Sequence, residues 1–368
     1  MPNIALLQEL GFEVSVACNF LEGSTCSDER IAKLRARLDE MGVTNYHLDI
    51  SRRVSDISRN LGAYKTLKKL INEGDFDLIH CHSPIGGLIC RMAGRKARKR
   101  GTVMMYTAHG FHFYRGAPRK NWLLYYPIEK FCSRFTDVLL TINGEDYEYS
   151  KKKMRAGKNI YIPGVGIDLS RFDGVSVDRE QKRAEIGVPA DAFLLISVGE
   201  LNVNKNHEAI LRALSKIEDG QIHYAMIGQG ALMDYHKNLI SELGLEKCVH
   251  MLGFREDVSE LYAVADLCVF PSIREGLGVA AIEGLASGLP LVAADNRGTR
   301  DYAIAEQGAF VCEYNDIDGF AEAIKRVKSS PELSERMGEF NKKYVKKYDI
   351  GQVMETMRSL YGGIGNEG

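Results

Sequence analysis

Residues 266–290 read DLCVFPSIREGLGVAAIEGLASGLP, and this stretch decides the fold. The apolar run that ends at Pro271–Ser272 has the composition of a strand buried on both faces. A loop carrying Glu275–Gly276–Leu277–Gly278 follows, and a helix from about Gly278 to Ala286 is stopped by Gly288. Strand, glycine loop and helix in this order aim the free N–H groups and positive dipole end of the helix at the strand's carboxyl end. That is a seat for a diphosphate, and Gly276 and Gly278 allow backbone to approach it closely. Glu283 stands roughly 7.5 Å along the helix axis from its start. One carboxylate, Glu275, is therefore expected toward a sugar on that diphosphate, and Glu283 within reach of a ribose diol. GLGVAA also matches G-x-G-x-x-A.

Outward from this unit, the same strand–helix alternation fills the chain. Strands are expected at 13–18, 45–49, 77–82, 103–107, 137–142 and 159–162 in the first half. In the second half they fall at 193–199, 222–228, 248–253, 266–271, 290–294 and 309–312. Helical patterns such as 28–41, 57–72, 207–217 and 318–329 separate them. This is an α/β pattern of parallel sheets covered on both faces. With 368 residues the chain is long enough for two such Rossmann-like, doubly wound domains. IPGVGIDLSRF (162–172) breaks both periodicities and marks the seam, giving domains of 1–165 and 166–344. A terminal helix, about 345–362, is expected to pack back on the first domain. The chain opens with a helix-like NIALLQEL closed by Gly11, then a strand at once. The first strand and phosphate-facing loop of a doubly wound domain are expected to be missing.

Composition narrows the class. Hydrophobic content of 45%, 26% charge and a net charge of -1 describe a soluble globular protein with no overall attraction to nucleic acid. Eight cysteines without C-x-x-C spacing read as reduced core residues, which indicates the cytosol. No apolar stretch reaches the roughly 18 residues of a spanning helix. Two basic or amphipathic segments, 91–100 and 115–131, are expected to attract an anionic membrane surface, with Trp122 and the tyrosines at the interface. The protein is therefore expected in the cytoplasm, peripheral on the inner face of the cell membrane.

Further residues carry chemistry by position. Lys205 lies six residues past Gly199 at a strand's carboxyl end, where a cation can neutralise a leaving diphosphate. IGQG (227–230) places Gly228 and Gly230 in a loop suited to lie beneath a nucleotide or to form a tight turn. In YTAHGFHFY (106–114), His109 ends a strand and is expected to face the cleft from the first domain. His80 and His82 flank Cys81 at another strand end but lack further ligands at metal-binding spacing. Asp75–Phe76–Asp77 and Asp316–Ile317–Asp318 are D-x-D tripeptides placed away from strand carboxyl ends, so they read as turn or cap residues and not as a metal site. Neither a G-x-S-x-G elbow nor a P-loop is present.

With seven residues between Glu275 and Glu283, the sequence resembles the family 4 retaining glycosyltransferases. HCHSPIGG, YTAHG, IPGVGID, SVGEL…KNH, IGQG, LGFREDV and PSIREGLGVAAIEGLASGLPLVA carry that resemblance in order along nearly the whole chain. It is closest in look to bacterial capsule and exopolysaccharide transferases. The resemblance implies a GT-B fold and transfer of a hexose or N-acetylhexosamine from a UDP-sugar to a lipid-linked or saccharide acceptor. It also implies that no metal or other cofactor is needed. Glu275 and the backbone of Gly276, Leu277 and Gly278 would hold the sugar, Glu283 the ribose and Lys205 the diphosphate. Gly228 and Phe254 would lie near the base, and His109 would approach the donor sugar. Glu200 stands where many members of the family carry arginine. A sugar-nucleotide epimerase and a binding protein without turnover are the competing readings.

Overall fold

The computed structural model describes residues 1–21 and 28–365. The chain forms two compact units, Met1–Ile162 together with the chain from Val353 onward, and Pro163–Gln352. Each is an α/β layer structure.

The second unit holds one six-stranded parallel sheet. Its strands are β7 (Phe193–Val198), β8 (Ile222–Ile227), β9 (Val249–Gly253), β10 (Leu267–Phe270), β11 (Leu291–Ala294) and β12 (Ala309–Cys312), in the spatial order β12-β11-β10-β7-β8-β9. Every residue of β8, β10 and β11 is buried, as short apolar strands covered by helices on both faces must be. The helix His207–Ile217 adds Ala209, Ile210, Ala213 and Leu214 to the core at helical spacing. Chain order reverses between β7 and β10. In an open parallel sheet this is where helices diverge to opposite faces and leave a crevice at the strands' carboxyl ends.

In the first unit the strands are β1 (Ser15–Cys18), β2 (Thr44–His47), β3 (Leu78–His82), β4 (Val103–Ala108), β5 (Val138–Thr141) and β6 (Lys158–Tyr161). β3-β4-β5-β6 form a parallel sheet in sequential order, while β1 and β2 pair only with each other. No ladder joins β1 to β3 among the described residues. The opening helix Pro2–Glu9 ends at Gly11, whose φ of +87° suits glycine and whose N–H bonds to the Gln8 carbonyl. The terminal helix Ile350–Gly365 places Val353, Met357 and Tyr361 in buried positions.

Two expectations about the surface need correction. Arg91 is not part of a basic membrane face. It is 1% exposed, pairs with Glu129 at 2.8 Å and lies over the Tyr106 ring. A guanidinium taken out of water needs a partner of this kind. Arg98 is held by Asp137 at 2.6 Å, so it too is engaged. Trp122 and Tyr126 do not form an outward belt either. They pack with Phe113 and Tyr149 against the first unit's core, and the exposed apolar residues of their helix, Arg119–Cys132, are Leu123, Leu124 and Phe131. No helix among the described residues is long and apolar enough to cross a membrane. The seven described cysteines are free, and Cys26 lies outside the described residues.

Candidate active site

The crevice between β7 and β10 receives the loops that follow those two strands, 199–206 and 271–278. Asparagines tie these loops together. Ile273 N donates to the Asn204 carbonyl at 2.8 Å, and Asn204 Nδ2 donates to the Arg274 carbonyl at 2.9 Å. Asn206 adopts a left-handed φ of +55° and donates through Nδ2 to the carbonyls of Pro271 and Tyr314. Asparagine tolerates that conformation better than most side chains. The consequence is that Lys205 Nζ and Glu275 Oε1, 70 residues apart in sequence, stand 2.7 Å apart in a mostly buried ion pair. The same ammonium lies 5.2 Å from the centre of the Phe270 ring.

Gly278 caps the helix Val279–Ala286 with a φ of +98°, and a side chain there would collide with the Tyr302 hydroxyl and the Phe270 ring. Only glycine satisfies both conditions. The Tyr302 hydroxyl at this helix start is buried without a hydrogen-bond partner among the described residues. Behind the loop, Gly298 lies so close to Leu277 that an added Cβ would stand 2.7 Å from its carbonyl oxygen. Its neighbour Arg297, 5% exposed, donates from Nε to the Glu275 carbonyl at 3.2 Å. Arg297 thus braces the Glu275 loop from the end of β11.

Glu283 points inward from the same helix. Burial pushes its carboxyl up to about 7, with Arg171 pulling weakly the other way. A carboxyl without a strong cationic partner resists ionisation in such a place. It is poised to change charge near neutrality.

The other residues singled out from the sequence fall as follows. Gly228 has a φ of +141°, and any side chain would strike the Gly199 carbonyl; Gly230 is equally tight against Leu201. These glycines let the loop after β8 lie flush against the loop that carries Lys205. Phe254 follows the edge strand β9 and is exposed. Glu200 is exposed at the end of β7. Asp316 is an N-cap, accepting from Gly319 N at 2.9 Å, as its turn-and-cap reading expects.

In the first unit, the carboxyl ends of β3 and β4 bring three histidines together. His109 Nε2 and His82 Nδ1 are 3.1 Å apart, while His80 bonds to Tyr361 and Thr107, each at 2.8 Å. Burial lowers the pKa of His109; burial and then the neighbouring His109 bring His82 down to about 4. Both rings keep an accessible edge but sit among many protein atoms, and the latter controls the charge. His109 is therefore a neutral imidazole at physiological pH. Among the described residues, no group of three or more His, Cys, Asp or Glu side chains is arranged to hold a metal ion.

Sequence reasoning missed Asn204, Asn206, Arg297 and Gly298. The asparagines carried a signal, since N-x-N-K-N (202–206) after a strand is turn chemistry. Arg297 carried none, because its contact with the Glu275 loop exists only once β10 and β11 lie side by side.

Comparison with known proteins bears on this arrangement. A family model described as Glycosyltransferase Family 4 matches residues 4–171, and one described as Glycosyl transferases group 1 matches residues 178–344. The chain is 36% identical to "Putative glycosyltransferase EpsD" of Bacillus subtilis over 98% of its own length and 92% of that protein. It is 28% identical to the UDP-Gal:alpha-D-GlcNAc-diphosphoundecaprenol alpha-1,3-galactosyltransferase of Escherichia coli, over 88% and 87% of the two chains. Among solved structures, Anabaena HepE in complex with UDP and glucose matches with a TM-score of 0.77 at 18% identity, covering 98% and 95%. Sucrose-phosphate synthase of Thermosynechococcus elongatus matches at 0.78 and 19% identity, covering 99% and 92%.

Proposed function

Because the chain belongs to the family 4 glycosyltransferases of the GT-B fold, we propose that it transfers a hexose or N-acetylhexosamine from a UDP-sugar to a lipid-linked saccharide, with retention of configuration. The observation that carries this reading is the Lys205–Glu275 pair, set at the point where strand order reverses and beside the helix capped by Gly278. A cation, a carboxylate and a helix N-terminus in one crevice suit a diphosphate that bears a sugar.

In this reading the second unit holds the donor. The diphosphate takes Lys205 from Glu275 and rests on the backbone of Gly276, Leu277 and Gly278. The released Glu275 carboxylate then accepts hydrogen bonds from the sugar hydroxyls, and Glu283 accepts from the ribose diol. Gly228 and Phe254 border the base. In the reaction the bond from the anomeric carbon to the diphosphate oxygen breaks while the acceptor oxygen bonds to the same face of that carbon. The acceptor's proton passes to the departing phosphate oxygen. Charge grows on the leaving group, and Lys205 with the helix N-terminus stabilises it without requiring a metal. His109, held neutral, serves a sugar hydroxyl as donor or acceptor.

Support for the nucleotide comes from the UDP complex of the Anabaena protein, and support for a diphosphate-lipid acceptor from the name of the Escherichia coli relative. The similarity to EpsD over nearly the whole chain supports glycosyl transfer, and the resemblance to capsule and exopolysaccharide transferases is the ground for placing that transfer in surface polysaccharide synthesis. The deciding experiment is a panel of UDP-sugars offered with acceptor, with the anomeric configuration of the product read by NMR. Transfer with retention is expected. An inverted product, or release of an epimerised sugar nucleotide, would overturn the proposal.

A further inference from the structure

Between the helices Ile57–Glu73, Pro84–Ala93 and Arg119–Cys132 of the first unit lies a cavity of about 360 Å³. Its walls are mainly apolar, aliphatic side chains joined by Tyr64, Phe111 and Tyr125, and four of its lining residues are large apolar side chains left open to water: Val54, Ile57, Leu61 and Leu124. Ile57 is 73% exposed, and Leu123 next to Leu124 is 80% exposed. Single exposed leucines are ordinary, but several converging on one open pocket mark a binding surface. The cavity also reaches Pro84, Ile85, Gly110 and His112. These residues directly follow His82 and His109, so the apolar pocket begins where the histidine cluster ends.

The surrounding helices state what kind of apolar ligand fits. Together with the short helix Arg95–Arg98 they carry eleven lysines and arginines, of which Arg59, Lys69, Arg91 and Arg98 are ion-paired and the other seven outnumber the nearby acids. Arg52 and Arg53, next to the lining residue Val54, are exposed, as are Arg119 and Lys120. A neutral apolar peptide has no use for that charge. A hydrocarbon chain joined to a diphosphate uses both features, because its tail is desolvated in the pocket and its anionic head lies in a positive field.

We propose that this cavity receives the first isoprenoid units of a polyprenyl-diphosphate acceptor, the tail entering between the three helices and the diphosphate-linked sugar lying toward His109. The assignment rests on the reading of the acceptor as lipid-linked, and adds the place where this chain holds the lipid. A volume of about 360 Å³ is near the lower end of small-molecule sites, so the pocket takes the head-proximal part of the chain and not its whole length.

Farnesyl diphosphate is the probe, a short isoprenoid diphosphate that needs no membrane. Its binding to the full chain is measured by calorimetry in saturating UDP, which occupies the phosphate seat of the second unit. Inorganic diphosphate and farnesol serve as controls. Farnesyl diphosphate is expected to bind at least tenfold more tightly than either control, and Leu61→Asp and Leu124→Asp each to weaken it by about tenfold or more. Both side chains are already exposed, so these variants keep the fold, and their affinity for UDP is expected to match the unaltered chain. Equal binding of farnesyl diphosphate and inorganic diphosphate, or undiminished binding in both variants, overturns the inference. So does a loss confined to attachment to anionic vesicles, which would make the pocket a bilayer contact. Failure of UDP itself to bind would instead count against the donor site.

Discussion

Replacing Glu283 by glutamine is expected to stabilise the unliganded protein at alkaline pH while weakening its hold on the donor. Burial raises the Glu283 carboxyl from an ordinary 4.5 to about 7. Between those values the folded state keeps a proton that the unfolded chain has released. Stability therefore falls as pH rises from about 4.5 through 7, and levels off above. At about 1.4 kcal/mol for each tenfold change in the ionisation constant, the loss at pH 8 is on the order of 3 kcal/mol. Glutamine has the same shape and cannot ionise, so Glu283→Gln should equal the unaltered chain near pH 5 and exceed it by up to about 3 kcal/mol at pH 8. Urea unfolding of unliganded protein at both pH values measures this. Binding runs the other way. A carboxylate accepting from the ribose diol contributes about 1.5–3 kcal/mol per charge-assisted hydrogen bond, so the variant should bind UDP-glucose roughly ten- to a hundredfold less tightly at pH 8. In the unaltered chain that affinity should also drop below pH 7, where the free site is protonated. UDP-glucose suits the test because its diphosphate does not titrate there. A stability difference that is the same at both pH values would refute the burial argument, and an unchanged dissociation constant would remove Glu283 from the ribose.

Glu275→Ala is expected to lower kcat by about a hundredfold or more while leaving UDP affinity within a few fold, because a sugar contact that strengthens in the transition state is lost. A pure rise in KM would contradict that role. Lys205→Ala should weaken UDP binding and reduce kcat by about a hundredfold, and excess chelator should leave the unaltered enzyme's rate unchanged; chelator-sensitive turnover would defeat the metal-free mechanism. For His109→Gln, which keeps a neutral hydrogen-bonding group, activity should exceed that of His109→Ala at pH 7.5, and two equally impaired or equally active variants would exclude a hydrogen-bonding role. Glu129→Ala, which leaves Arg91 buried without its partner, should cost about 3–5 kcal/mol in denaturant unfolding. A loss under about 1 kcal/mol would show that water reaches the guanidinium.

The twelve strands among the described residues were legible in the sequence because apolar runs such as FLLISV and LCVF belong to a parallel sheet covered on both faces, a burial pattern that local composition states directly. Glu275, Gly278 and Glu283 were legible for a related reason, since a loop and the helix it opens are adjacent in the chain and helical geometry sets their spacing. Other features depend on residues far apart in sequence. The Lys205–Glu275 pair needs β7 beside β10, and Arg297 reaches the Glu275 loop only because β11 lies next to β10. The run around Arg91 read as a basic surface, yet Glu129, 38 residues away, draws that arginine into the core. The near-neutral titration of Glu283 and the cavity between three helices likewise have no counterpart in any local window. Periodicity is a property of neighbours along the chain, whereas burial, charge pairing and cavity shape belong to neighbours in space, which packing alone selects.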